Sequence, residues 1–340
     1  MSTETVLLIA VVTMALLFDV MNGFHDGCNA VSTVIYTGAL KPRTAIMMSA
    51  AFNFIGPLVK GIAVAKTIGG VIDASDASAH LVIAALFGAL LWDLLTWIWA
   101  LPVSSSHALI GGLLGAGLAA MGSSGIIWDR VILILVSLVV SPFLGLLTGY
   151  FFMFVTQRIV RLVKWDLDKA DKFYKRMQIL SAAWVSFSHG SNDATKVMGM
   201  IVLFLASSHQ LTVDGYIDKF GFPLWVILSA AAAMALGTYL DYRSMRIIRT
   251  VGERLCNLHP VNGFSAEVGG AVIIQLASFL GLPVSTTHIV TSSVTGTGLR
   301  AGLTGVSWKV FRAIILAWVI TLPFCAGVAA AMYYLLNIWL

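Results

Sequence analysis

Charged residues are scarce in this sequence. Aspartate, glutamate, lysine and arginine together make up 11% of its 340 residues, whereas hydrophobic residues make up 59%. So few charges cannot cover the surface of a water-soluble globule, and the apolar residues recur in runs close to the length that crosses a bilayer. The net charge of +5 is carried in short loops between these runs, which indicates membrane topology rather than a nucleic-acid partner.

Cysteine is also rare, with three residues at positions 28, 256 and 325. Their wide spacing excludes a zinc cluster and a framework of several disulfides, so we expect free thiols and no bound metal or cofactor of that kind. Residues 1–4 lack the basic segment of a cleavable signal peptide, so the first apolar run is expected to remain as a span.

The period-two alternation of membrane β-strands is absent as well, and the apolar runs are continuous. In lipid the backbone must satisfy its own hydrogen bonds, and helices do so within one segment. The sequence therefore predicts an all-α integral membrane protein that crosses the bilayer several times.

What the sequence does contain is two motifs that each occur twice. Residues 101–107 read Leu-Pro-Val-Ser-Ser-Ser-His and residues 282–288 read Leu-Pro-Val-Ser-Thr-Thr-His, each between two apolar runs. This pattern predicts two helical hairpins with serine or threonine at the tip. Polar inserts that contain Asp26 and Asp193 also lie inside apolar runs, and we expect both inserts to break their helices.

The two motifs keep their order along the chain, which indicates a duplicated half. We predict a first repeat over residues 1–156, a basic cytoplasmic linker over 157–178 and a second repeat over 179–340. Loops rich in lysine and arginine are placed in the cytoplasm if both termini lie outside it, and each half then has an odd number of crossings. The halves would have inverted topology, the architecture of a secondary transporter.

Asp26 and Asp193 are the first candidates for a functional role, because a carboxylate inside a membrane span is costly without a cation, water or partner. The alternative is that they cap helix ends. Asn29 and Lys196 lie three residues after each aspartate, on the same helical face. Lys196 would pair either with a carboxylate or with an anionic substrate. A pair with a carboxylate could belong to a site or be a purely structural salt bridge. Asp93 is a further intramembrane acid, expected to contact the site.

The tip residues Ser105, Ser106, Thr286 and Thr287 are the second group of candidates. Each pair precedes a new helix, whose N-terminus presents unpaired N–H groups and the positive end of the helix dipole. One such tip is most simply read as ordinary capping, but two matched tips converging from opposite halves would hold a tetrahedral oxyanion.

Residues 22–30, Asn-Gly-Phe-His-Asp-Gly-Cys-Asn-Ala, and 189–194, His-Gly-Ser-Asn-Asp-Ala, together with the two tips, resemble the inorganic phosphate transporter (PiT) family. The resemblance covers essentially the whole chain. His25 stands where the family signature Gly-x-Asn-Asp-x-x-Asn has its first asparagine, and Lys196 stands where it has its last, a pattern similar to the short bacterial branch. Glu267 matches a family acid before the second hairpin, although an acid in the first turn of a helix is an equal interpretation.

The resemblance implies import of phosphate coupled to Na⁺ or H⁺ in the cell membrane, and the chain is not expected to be an enzyme. The phosphate ligands would be Ser105, Ser106, Thr286, Thr287, Asp26, Asp193 and Lys196. The cation or proton would be held by Asp26, Asn29, Asn192, Asp193 and Glu267.

Three other functions are alternatives to phosphate import. A symporter of sulfate or another oxyanion on the same scaffold is the main alternative, and a passive channel is a second. An intramembrane serine hydrolase is disfavoured, because adjacent Ser106 and His107 cannot generally serve as nucleophile and base. The sequence does not decide between Na⁺ and H⁺, and it is compatible with a homodimer without requiring one.

Overall fold

The computed structural model describes residues 2–27, 29–241 and 246–339, and these residues form helices joined by short turns, with no strand among them. The all-α prediction is confirmed. The helices are α1 Thr3–Asp26, α2 Ser32–Tyr36, α3 Pro42–Lys60, α4 Ala63–Gly69, α5 Ala79–Ile98, α6 Ser105–Met121, α7 Trp128–Leu162, α8 Leu167–Ser208, α9 Val213–Phe220, α10 Leu224–Leu240, α11 Arg246–Gly252, α12 Pro260–Phe279, α13 Thr286–Gly298 and α14 Trp308–Trp339.

Several helices are long and apolar enough to span a membrane. Within the described ranges, four apolar stretches meet this criterion alone, and two bent pairs, α3 with α4 and α8 with α9, meet it together. The bends are 80° and 84°. Large apolar side chains such as Phe143, Leu147 and Val319 are exposed on α7 and α14. An outer surface of this kind suits lipid rather than water.

The two tip motifs fold as predicted. Ser104 and Ser285 are the N-cap residues of α6 and α13, and each side chain accepts a hydrogen bond from the backbone N–H of the histidine three residues on. The prolines of both motifs lie in the extended turn before the cap. Ser105 and Thr286 are therefore the first helical residues, where backbone N–H groups have no intrahelical acceptor.

The halves are interlocked through these tip helices. Helix α6 packs against α14 of the second half, and α13 packs against α7 of the first half. Glycine allows the close approach in both cases, because a side chain at Gly115 would overlap the backbone of Ala326 and one at Gly149 would overlap the backbone of Ser293. Small residues at helix crossings are typical of membrane proteins, where close backbone packing drives association.

Other contacts are reciprocal in the same way. Helix α1 packs against α10, and α8, which carries the second aspartate motif, packs against α3. Pro142 in α7 and Pro323 in α14 are separated by the same number of residues as the two tip histidines. This exchange of partners is compatible with the predicted duplication. The inverted orientation of the halves in the membrane stays a prediction.

The expected interruption of the second aspartate motif is wrong. Helix α1 does end at Asp26, but α8 runs unbroken through Asp193 for 42 residues. The residue after each aspartate differs in helix propensity, since Gly27 costs a helix about 1 kcal/mol relative to the alanine at position 194. Hydroxyls in α8 are also satisfied locally: Thr195 donates to the carbonyl of Asn192 at 2.8 Å.

The segment predicted as a linker is mostly helical. Residues 157–162 end α7, residues 167–178 begin α8, and only 163–166 form a turn between them. Asp166 caps α8 by accepting a hydrogen bond from the N–H of Lys169 at 2.8 Å. Cys256 and Cys325 are buried free thiols, as expected, whereas Cys28 lies outside the described residues.

Candidate functional site

The two hairpin tips meet in the interior of the helical bundle. The hydroxyl of Ser106 donates to the carbonyl oxygen of Val284, in the opposite tip, at 2.8 Å. The rings of His107 and His288 lie 4.7 Å apart, and His288 also stacks on Trp318 at 3.7 Å. The first two residues of α6 and α13 are all buried. Two helix N-termini therefore face one enclosed polar region, as the sequence predicted.

Asp193 is the residue on which both tips converge. Its Oδ2 atom accepts hydrogen bonds from the hydroxyls of Thr286 at 3.2 Å and Ser105 at 3.4 Å, one from each tip. The ring Nε2 of His189 lies 3.6 Å from the same oxygen. Its Oδ1 atom accepts a hydrogen bond from Lys196 at 2.7 Å. Asp193 is completely buried, so this carboxylate is held entirely by protein groups.

Lys196 fixes the other side of the same region. Its ammonium donates to Asp193 Oδ1 at 2.7 Å, to the hydroxyl of Ser106 at 2.5 Å and to the carbonyl of Val284 at 2.9 Å. A lysine ammonium has three N–H donors, and here each has an oxygen acceptor. The structure thus places Lys196 in an ion pair with Asp193, and an additional bond to an anion would require one of these three to be exchanged.

Asp26 lies at the end of α1 with a different environment. Its Oδ1 atom is 2.7 Å from Nδ1 of His25, while Oδ2 is buried and has no hydrogen-bond partner within the described ranges. Nearby, the amide nitrogen of Asn29 donates to the hydroxyl of Thr287 at 3.1 Å, and its Oδ1 atom also lacks a partner there. Asp26 interacts electrostatically with His189, so the two signature motifs adjoin.

Two predicted cation ligands, Asn192 and Glu267, have hydrogen-bond partners different from those of Asp26 and Asn29. Asn192 donates from its amide nitrogen to the hydroxyl of Ser278 at 3.0 Å, at the end of α12. Glu267 is the eighth residue of α12 and is buried, so the interpretation of an interfacial acid in the first turn is wrong. It accepts hydrogen bonds from Thr33 at 2.5 Å, from Gln178 at 3.1 Å and from Ser181. None of these three donors is a tip residue.

Sequence reasoning missed Asp19, which lies in α1 about one turn before Gly23, where the signature motif begins, and about two turns before Asp26. It is fully buried, and in the part of the chain that the structure describes neither carboxylate oxygen has a hydrogen-bond partner. It interacts electrostatically with Asp193 and Lys196, and Asp93 does so with Asp26 and Asp193. The expected contact of Asp93 with the site is therefore electrostatic. The signal for Asp19 was present, since it is a lone acid near the end of an apolar run.

A further missed pair orients the second signature motif. The side-chain oxygen of Asn53, in α3, lies 3.0 Å from Nδ1 of His189, and its amide nitrogen donates to the hydroxyl of Thr238 at 2.9 Å. Both side chains are buried. No spacing in the sequence joins α3, α8 and α10, so this contact could only be seen in the tertiary structure.

Taken together, the region can bind an anionic oxygen. Hydroxyls from two helix N-termini donate to one buried carboxylate oxygen, and such charge-assisted hydrogen bonds are strong when buried. Beside it lie buried oxygens of Asp26 and Asn29 that have no donor among the described residues, and they are of the type that hard cations prefer.

The chain is similar to known proteins over nearly its whole length. Residues 22–329 match the model of the phosphate transporter family. The chain is 39% identical to a protein of Rhizobium meliloti (strain 1021) over 96% of both chains and 41% identical to one of Bacillus subtilis (strain 168) over 98% of both. Each of these relatives is named a probable low-affinity inorganic phosphate transporter.

A solved structure described as the sodium-dependent phosphate transporter superposes with a TM-score of 0.85 at 26% identity, covering 98% of this chain and 100% of the other. The matched family and relatives are transporters rather than enzymes, as the sequence predicted. These matches show that the chain belongs to the phosphate transporter family.

Proposed function

We propose that this protein imports inorganic phosphate across the cell membrane by symport with Na⁺ or H⁺. The observation that carries the proposal is the convergence of hydroxyls from two opposed helix N-termini, those of Ser105 and Thr286, on one buried anionic oxygen. Family membership supports the substrate, and the likeness to a structure described as sodium-dependent supports coupling to a cation.

Phosphate would bind by taking over the tip donors. The hydroxyls of Ser105 and Thr286 would turn from Asp193 to phosphate oxygens, and the hydroxyl hydrogen of Thr287 is not used by its contact with Asn29. The N-terminal N–H groups of α6 and α13 supply further donors. Asp193, released from the tips, or Asp26 would accept a hydrogen bond from a protonated phosphate oxygen, and sulfate has no such proton to donate.

The coupling cation would bind in the first signature motif. Asp26 Oδ2 and Asn29 Oδ1 are both buried and have no donor within the described ranges. A carboxylate and a neutral amide oxygen are suitable ligands for Na⁺, and protonation of the carboxylate would serve H⁺ coupling equally. In either case the added positive charge lowers the electrostatic cost of bringing phosphate beside two aspartates.

Alternating access would follow from the interlocked halves. Each tip helix packs against the last long helix of the other half, so a rocking motion of one half would move one tip relative to the other. The residues that meet at the tips would then face the two sides of the membrane in turn. In this scheme both termini lie on the extracytoplasmic side, and the basic turn between α7 and α8 lies in the cytoplasm.

Uptake of radiolabelled phosphate into proteoliposomes tests this function. With an inward Na⁺ or H⁺ gradient imposed separately, we expect accumulation above the external concentration with one of the two ions. Equilibration without accumulation would indicate a channel and contradict symport. Asp26→Asn is expected to abolish the cation dependence. An excess of unlabelled sulfate should leave uptake unchanged, whereas strong competition would favour the alternative of a general oxyanion symporter.

A further inference from the structure

The two signature motifs differ in the residue that follows the aspartate by three positions. In the first motif the third residue after the aspartate is Asn29, and both its Oδ1 and Asp26 Oδ2 lack hydrogen-bond donors in the described parts of the chain. In the second motif the same position is Lys196, whose ammonium lies against Asp193. Asn192 Oδ1 also lacks a donor in the described residues, but both carboxylate oxygens of Asp193 have one. We infer that Lys196 is a built-in cation that replaces a coupling ion at Asp193, so that only the first motif loads a mobile ion.

The surroundings of the ammonium support a cation site rather than an anion clamp. Its three neighbours are a carboxylate oxygen, a hydroxyl oxygen and a backbone carbonyl oxygen, at 2.7, 2.5 and 2.9 Å. These are the ligand types that hard metal cations take from proteins. The oxygens come from α8 and from both hairpin tips, so the ammonium joins the elements that a bound ion would have to join.

The donor count points the same way. All three N–H donors of Lys196 already have acceptors, and the side chain is 2% exposed. An additional phosphate oxygen would have to displace one of them, whereas a cation-replacing role needs all three as they stand. A buried ammonium is costly unless it is paired, and the pair with Asp193 offsets part of that cost.

The consequence concerns the transport stoichiometry, and it therefore rests on the proposed function. A lysine stays with the protein, so the charge at Asp193 is neutralised in every state of the cycle. A protein in which each of the two signature motifs binds a mobile ion would need both ions to be loaded before phosphate binds. This chain would need one, held at Asp26 and Asn29, because the other positive charge is covalently attached.

Cation binding can be tested without any transport. In purified Asp26→Asn, which lacks the first cation site, we expect the thermal unfolding midpoint to be the same in NaCl and in choline chloride. Adding Lys196→Asn to this variant places the asparagine of the family signature at position 196 and opens a second cation site at Asp193. The double variant should be less stable in choline chloride and recover as Na⁺ is added, since a ligand that binds only the folded state raises its stability.

Lys196→Met on the same Asp26→Asn background is the matched control. Methionine has similar length but offers neither a charge nor an oxygen ligand, so this variant should be destabilised equally in both salts. A double variant with Lys196→Asn that behaves like the methionine control, or that fails to fold in either salt, would overturn the inference. Refolding of the asparagine variant in Na⁺ alone would support it.

Transport supplies the second readout. In proteoliposomes, Lys196→Asn should carry one more Na⁺ per phosphate than the wild-type protein, measured by dual labelling of both ions. An unchanged ratio would contradict the built-in cation. Failure of the wild-type protein to accumulate phosphate would instead contradict the proposed function, and the unfolding measurements would still decide whether Lys196 occupies a cation site.

Discussion

Replacing Asp193 by asparagine should destabilise the protein strongly. The substitution keeps the shape of the side chain but leaves the Lys196 ammonium, 2% exposed, without the carboxylate of its ion pair, since asparagine offers only a neutral oxygen. Removing one partner of a buried ion pair typically costs about 3–5 kcal/mol, because the remaining charge is uncompensated. Asp19→Asn is the matched control, since neither oxygen of Asp19 has a donor within the described ranges, and we expect it to cost about 1 kcal/mol or less.

The measurement is unfolding in mixed detergent micelles, followed by the fluorescence of the ten tryptophans. Adding Lys196→Met to Asp193→Asn should recover much of the lost stability, because an uncharged pair no longer needs compensation. The double-mutant cycle of Asp193→Asn and Lys196→Met should give a coupling energy of about 2–3 kcal/mol. The ion-pair explanation is refuted if Asp193→Asn lowers the free energy of unfolding no more than Asp19→Asn does. It is also refuted if the loss in the double variant equals the sum of the losses in the two single variants.

Three further predictions concern the tips, their packing and the acid in α12. Ser105→Ala and Thr286→Ala should each raise the KM for phosphate roughly tenfold, because each removes one hydrogen bond to a charged group worth about 1.5–3 kcal/mol. Each should also lower stability, because the same hydroxyl donates to the buried carboxylate of Asp193 in this structure. Unchanged KM values would exclude these hydroxyls from the site. Gly115→Leu should prevent close packing of α6 on α14 and cost several kcal/mol, seen as loss of monodisperse protein in detergent, whereas Gly327→Ala, which meets open space on α14, should be tolerated. Glu267→Gln should lower stability by about 1–3 kcal/mol, because three donors lose a charged acceptor, and equal unfolding midpoints would contradict this.

The hairpin tips show why part of the site was predictable. Ser104 and Ser285 cap helices because a hydroxyl before an apolar run satisfies an unpaired N–H, which is a local effect of the kind that sequence reveals. The course of the chain through Asp26 and Asp193 was harder to judge. The helix ends at the aspartate in the first copy of the polar motif and continues through it in the second, a difference that the shared motif does not reveal.

The partners of the polar side chains could not be predicted. Lys196 was expected to meet either a carboxylate or the substrate, and only the position of the opposite tip, which brings the Val284 carbonyl within 2.9 Å, places it in the ion pair. Glu267 was equally ambiguous until its donors from α2 and α8 were seen. Contacts of this kind join residues far apart in the chain, so their geometry depends on the whole packing arrangement.

By itself the sequence determined the membrane class, the helical content, the duplicated motifs and the residues of the candidate site. These follow from hydrophobicity, capping and repeated local patterns, which act over one or two helical turns. Only the tertiary structure decided that both tips converge on Asp193, that its charge is neutralised by Lys196, and that oxygens of Asp26 and Asn29 remain without donors in the described residues. The physical reason is that hydrogen bonds and ion pairs are short-ranged, so a difference of one ångström in how the two halves pack determines which charges meet.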